Sequence, residues 1–356
     1  MVEIYSPSGE EGEIAGLLAS EMEGMGFRVR TDAVGNVIGE HGEGEPRVLL
    51  CGHMDTVPPE LPVRVEGGNL YGRGAVDAKG PLAAIIVAAS QLISEGYEGG
   101  LVVAGAVDEE GRNIGVTKMI DEGVEADYTI FGEPTNVDTI TTGYRGGLLL
   151  RVTCETEAGH SSAPWLFDNS IEEAMRIWSL VKALRMPQER PESRFHSLSY
   201  SLRRIEGGGE SSVVPSRCEA LIEARIPPSI TVDQLRGEIF GLVEGYRKEN
   251  PGASVGVEVL DQTEPYLADK KSLLVRALSR SIWRRRGVTV RLVNKTGTGD
   301  MNLYGHATGK PVVTFGPGDP HLDHTPHEKI NIRDYLESIS VLKGAMEILY
   351  ESHNEA

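Results

Sequence analysis

Three short apolar runs, Val48 to Cys51, Leu101 to Val107 and Tyr128 to Phe131, alternate with helical stretches from about Pro81 to Glu95 and from Gly115 to Glu122. Strands interleaved with helices in this way pack as a sheet covered by helices, the α/β arrangement. Each run leads straight into groups that bind cations: His53 and Asp55 after the first, Glu109 and Glu110 after the second, Glu133 after the third. Ligands of α/β sheets gather beyond the carboxyl ends of strands, where these side chains fall. Divalent cations that activate water are held by imidazole and carboxylate oxygen, with one coordination position left open. The pattern predicts a metal-dependent hydrolase.

The pattern changes near residue 148. Leu148 to Cys154 reads as a strand, Ser170 to Leu184 as a helix, Leu198 to Arg204 and Cys218 to Arg225 as strands, Val232 to Tyr246 as a helix and Ser254 to Leu260 as a strand. Strand, helix, two strands, helix, strand is the ferredoxin-like order. After Pro265 the α/β character resumes, with a helix around Ser272 to Arg285, short strands at Val288 to Val293 and Val312 to Phe315, and an amphipathic last helix. At the other end Ser8 and Glu11 fit a capping box, followed by Ile14, Leu17, Leu18, Met22 and Met25 at helical spacing. A chain of 356 residues exceeds what one core organises, so a small domain inserted into a larger one is expected.

Composition narrows the function. A formal net charge of -18 argues against nucleic acid and anionic membrane as general partners, since both select basic surfaces. The basic run Arg284-Arg-Arg286 ends a helical stretch, where cations complement the helix dipole without any partner. No apolar run is long enough to span a bilayer, and Met1-Val-Glu-Ile-Tyr-Ser-Pro7 lacks the regions of a signal peptide, so a cytoplasmic protein is expected. Cys51, Cys154 and Cys218 are few and widely spaced and read as buried free thiols. The glycine-rich stretch from Leu70 to Pro81 lacks the spacing of either nucleotide fingerprint. It reads instead as a tight path that presents Asp77 beside His53, just before a helix that tolerates Pro81 in its first turn.

Together, His53-Met-Asp55, Gly72-Arg-Gly-Ala-Val-Asp77, Asp108-Glu-Glu110, Gly132-Glu-Pro134 and a late His324 followed by Glu328 resemble the M20 metallopeptidase family, in order and along nearly the whole chain. The resemblance implies an α/β, mixed-sheet catalytic domain built from 1–146 and 264–356, holding two metal ions. It also implies an inserted ferredoxin-like α+β domain at 147–263 that serves as lid and dimerisation unit. His53 and Glu133 would hold one metal, Glu110 and His324 the other, and Asp77 would bridge them. Zinc suits this mixed ligation, with cobalt as an alternative. Residue type alone leaves His321, His324 and His327 open as the last ligand; the family places it four residues before a glutamate, which selects His324.

The same resemblance implies that Glu109 is the general base and that Asp55 orients His53. It implies a cis peptide at Asp77–Ala78. His160, in Ala158-Gly-His160-Ser-Ser-Ala-Pro164, would stabilise the oxyanion in the other subunit of a homodimer, and Arg225 would grip a substrate carboxylate. The turn Gly297-Thr-Gly-Asp300 is similar to a family substrate-pocket turn, which makes Asp300 a substrate-binding candidate, although Gly299 stands where serine is common. Ser212-Val-Val-Pro215 departs from the family's Asn-Val-Ile-Pro, so a substrate contact is shortened or lost. The opening Ile4 to Glu10 and the stretches around His53, Asp77 and Asp300 are most similar to the branch that releases lysine or ornithine from the acidic carrier protein LysW, in lysine and arginine biosynthesis. Small-molecule N-acyl-amino-acid deacylases cut the same amide and form the alternative. A silent peptide-binding relative is a third reading, against which the retention of Glu109 and every ligand argues.

Overall fold

The computed structural model describes residues 1–355, which form two compact units. The larger comprises Met1–Gly143, Leu267–Asn294 and Gly299–Ala356. Its centre is the strand Arg47–His53, whose residues from Val48 onward are all buried. A strand buried on both faces needs a continuous apolar run and parallel neighbours covered by helices. Those neighbours are Gly100–Ala106 and Tyr128–Phe131, both parallel to it.

The nine-stranded sheet is mixed. Val312–Thr314 runs parallel beside Tyr128–Phe131 and antiparallel to Thr139–Tyr144, while Val37–His41 lies antiparallel on Gly100–Ala106 and pairs outward with Arg28–Thr31. The helices Lys79–Ser94, Leu273–Arg286 and Ile332–Asn354 pack together, the first of them also on the central strands. Arg284, Arg285 and Arg286 occupy the last turn of Leu273–Arg286, as the dipole argument expects, and Arg286 pairs with Asp334. Among the described residues no helix is long and apolar enough to cross a membrane.

Three features depart from the sequence reading. Helix Gly12–Gly24 has no side-chain cap: the Ser8 hydroxyl donates to Asp55 and Glu11 accepts from the backbone of Gly9 and Asp108. Tertiary partners at the site outcompete a local box. The strand expected at Val288 to Val293 lies instead at Arg291–Lys295. A three-stranded sheet of Arg64–Glu66, Asn69–Tyr71 and Lys329–Asn331 went unread, since strands this short, with few buried residues, carry no periodic signal.

The smaller unit comprises Tyr144–Tyr266 and Lys295–Thr298. Its four strands lie in the order Ser199–Gly207, Arg217–Ile226, Gly146–Thr156, Ala253–Thr263, all antiparallel, with helices Ser170–Ala183 and Val232–Glu249 in the connections. This is the ferredoxin-like topology. Arg217–Ile226 alternates buried and partly exposed residues, and its inner row of Cys218, Ala220, Ile222 and Ala224 packs with Ile177 and Val181 of one helix and Leu235 and Ile239 of the other. One apolar face per strand is what a sheet covered on a single side requires. Cys51, Cys154 and Cys218 are free and buried.

Candidate metal centre

Four of the candidate side chains of the larger unit come from the carboxyl ends of its parallel strands. His53 is the last residue of Arg47–His53, Glu109 and Glu110 follow Gly100–Ala106, and Glu133 follows Tyr128–Phe131. Asp77 lies in the turn before helix Lys79–Ser94, next to a cis Asp77–Ala78 peptide, and His324 in the loop after Val312–Thr314. All four non-glycine residues with positive φ among the described residues, Asp108, Asn113, Asn136 and His324, lie in these loops. Such backbone is uncommon outside glycine and concentrates at functional sites.

The candidate ligand atoms converge as two triplets sharing one carboxylate. His53, Asp77 and Glu133 bring donor atoms within 4.8 Å of one another, as do Asp77, Glu110 and His324. Asp77 divides its oxygens between them: Oδ1 lies 3.2 Å from His53 Nε2, and Oδ2 3.0 Å from His324 Nε2. His53 Nε2 is 3.5 Å from Glu133, and His324 Nε2 is 2.7 Å from Glu110. His321 instead turns to Asp319, at 2.8 Å. Two imidazoles and three carboxylates, with the shared acid between them, fit a pair of divalent cations.

The electrostatics agree. Burial disfavours a charged His53, but Asp55 and Asp77 outweigh it and hold its pKa well above the usual value. Bonds from Asp77 and Glu110 raise His324 to about 10. Burial alone would raise Asp77, yet the two imidazoles pull its carboxyl well below the ordinary range. Glu109 completes a third group with His53 and Glu110, and burial lifts its carboxyl well above the ordinary value. A base working near neutrality needs such a shift.

Asp55 organises the surroundings. It is fully buried, lies 3.3 Å from His53 Nδ1 through Oδ1, and accepts the backbone N–H groups of Glu109 and Glu110. Its fourth partner, the Ser8 hydroxyl at 2.7 Å, was not anticipated by the sequence, which suggested a helix cap for that residue. Ser8→Ala should weaken zinc binding by roughly tenfold, the lower end of what outer partners of ligands cost. Titration against a competing chelator measures this, and unchanged affinity would remove Ser8 from the site.

Asn113 was likewise missed as a site residue. The Asn113 amide donates to the Glu109 carbonyl and, at 3.0 Å, to Asp300. Asp300, a substrate-binding candidate by sequence, is only 6% exposed at the start of helix Asp300–Thr308, and burial raises its pKa to about 7. In the smaller unit Arg225 donates to the Thr298 hydroxyl and pairs with Glu223 at 2.8 Å. His160 is exposed there, and its Nδ1 accepts the Ser162 N–H, which leaves the proton of a neutral ring on Nε2.

A site that gathers two histidines and three acids, one of them a shared aspartate, with the half-buried Glu109 alongside, defines a two-metal hydrolase. The chain belongs to the family described as Peptidase family M20/M25/M40, whose profile matches residues 49–348. It is 39% identical to a provisionally named LysW-lysine/LysW-ornithine hydrolase of Thermococcus kodakarensis, over 98% of this chain and 90% of that protein. It is 32% identical to the LysW-lysine hydrolase of Deinococcus radiodurans, over 97% of this chain and 94% of that protein. Among solved structures, aminopeptidase PepT of Bacillus cereus shares the fold with a TM-score of 0.81 at 21% identity, covering 98% of this chain and 96% of that one. The YXEP protein of Bacillus subtilis, a dinuclear metal binding peptidase of the M20 family, has a TM-score of 0.69 at 17% identity, covering 98% and 95%.

Proposed function

We propose that this hydrolase releases lysine or ornithine from the carrier protein LysW by cutting the amide between the carrier's terminal glutamate side chain and the product's α-amino group. The hydrolytic part rests on one observation, the division of the Asp77 oxygens between His53 and His324. The substrate rests on relatives that align along nearly the whole chain and are named for it.

In this reading His53, Asp77 and Glu133 hold one divalent cation, and Asp77, Glu110 and His324 a second, zinc before cobalt. When bound, such a pair polarises the scissile carbonyl and lowers the pKa of water from about 15.7 to about 7. Glu109 takes one proton from the attacking water and returns it to the departing amine, which leaves a free carboxylate on the carrier and a free amino acid. Asp55 fixes the His53 ring and, through two backbone N–H groups, the loop that carries Glu109.

The roles of the smaller unit are part of the same proposal. His160, with its proton on Nε2, donates to the developing oxyanion of a neighbouring subunit in a homodimer, a service worth roughly 3 to 4 kcal/mol of barrier. Arg225 offers its planar fork to a substrate carboxylate. Ser199–Gly207 lies at an edge of its sheet, a position open to pairing with a second copy. Three buried free thiols suit a reducing cytoplasm.

The test is a comparison of purified enzyme on LysW carrying lysine, LysW carrying ornithine, N-acetylornithine and N-succinyl-diaminopimelate, with products followed by mass spectrometry. The carrier-linked substrates should turn over at least tenfold faster in kcat/KM, about 1.4 kcal/mol of transition-state preference. The reverse ranking assigns the enzyme to the small-molecule deacylases.

A further inference from the structure

We infer that Arg73 and Glu328 form a buried clamp that sets the position of two cation-binding loops, which makes Glu328 a positioning residue for the metal pair although it is not a ligand. The inference rests on the two-cation reading above. The two residues are 255 positions apart in sequence, yet their side chains meet at 2.8 Å with 4% and 0% exposure. Glu328 spends its other oxygen on the backbone: Oε1 accepts the N–H groups of Val76, at 2.9 Å, and Asp77, at 3.1 Å. One carboxylate therefore grips the main chain of the residue that faces both histidines.

Arg73 carries the grip further. Its Nη1 also donates to the carbonyl of Thr325, the residue after His324, and its Nε to the carbonyl of Pro59. The Asp77 turn and the His324 loop are thus referred to one buried pair. Stability alone does not account for it, because desolvating two charges offsets most of what their attraction returns, and apolar residues of similar volume often do as well. Placing bridging and terminal ligands at fixed separation does account for it. Outer partners of metal ligands commonly govern affinity in this way.

The experiment compares wild type, Glu328→Gln, Arg73→Lys and a control, Glu173→Gln, in the smaller unit. Glu173 is buried and bonds Tyr246 and Arg176, so it reports what losing a buried carboxylate does away from the metals. Zinc equivalents after dialysis, zinc affinity by chelator competition and the visible spectrum of cobalt-loaded protein are the readouts. Wild type and control should hold two zinc ions. Glu328→Gln and Arg73→Lys should bind zinc 10- to 100-fold more weakly, show an altered cobalt spectrum and regain turnover in excess zinc. Wild-type affinity and spectrum in a folded Glu328→Gln overturn the clamp and leave the two-cation reading intact. Should that variant fail to fold, wild-type affinity in Arg73→Lys overturns it instead. Absence of bound zinc in wild type overturns both.

Discussion

Replacing Glu109 by alanine should lower kcat by about 10²- to 10⁴-fold while zinc content stays at the wild-type value, the range general acid–base groups contribute. The side chain belongs to neither of the two triplets that share Asp77. Its loop does not depend on it, because the bonds to Asp55 come from the backbone N–H groups of residues 109 and 110, which alanine retains. Loss of turnover without loss of metal therefore isolates proton transfer. The pH profile supplies a second readout: burial raises the Glu109 carboxyl, so the acid limb of kcat should report its deprotonation and disappear in the variant. An alanine variant within tenfold of wild type would remove Glu109 as the base and leave the attacking water to another group.

Much of this candidate site was legible because four of its candidate residues sit where sequence carries the strongest local signal. Val48, Leu49, Leu50 and Cys51 are buried on both faces of one strand, and a continuous apolar run announces such a strand. The residues at its carboxyl end follow directly, so His53, Asp55, Glu109, Glu110 and Glu133 were all readable as strand-end groups. The ferredoxin-like unit was readable for the same reason, with alternation clean enough to order its elements.

What escaped was long-range bonding by residues whose local meaning was different. Ser8 and Glu11 have the spacing of a capping box, yet both are taken up by Asp55 and the loop at Asp108, some fifty to a hundred positions away. Arg73 reads as one letter of a glycine-rich turn and is in fact joined to Glu328 across 255 positions. Helix Asp300–Thr308 follows a Gly-Thr-Gly turn and has polar residues in its first turn, so no apolar period marks it. Local propensity is a weak prior against tertiary partners of this kind.

Asp77→Ala should abolish the dinuclear centre and bring turnover to background. Of the two triplets that share Asp77, each of the other candidate ligands belongs to one and Asp77 to both, so its removal should weaken both sites at once. Zinc affinity should fall by well over the 10- to 100-fold that outer partners cost, and mass spectrometry of the dialysed protein should find less than one equivalent. Wild type has a matching proton signature. His53 and His324 are both raised above the usual histidine value and must lose their protons to ligate, so zinc should displace about two protons near neutrality, measurable by calorimetry in buffers of different ionisation enthalpy. The sign of the stability change follows from the same groups. His324, raised from 6.5 to about 10, stabilises the stripped protein fully below pH 6.5 and loses that contribution as pH climbs through about 10. Asp77, depressed from 3.8, contributes above that pH and loses its contribution as pH falls through its lower native value. Metal-stripped wild type should therefore melt highest between about pH 4 and 6.5 and lower toward pH 10. Asp77→Ala should flatten that decline, because the imidazolium has lost the acid that raised it most. A stripped wild type whose melting temperature rises toward pH 10, or an alanine variant that keeps two zinc ions, would mean that Asp77 is not the residue on which both sites depend.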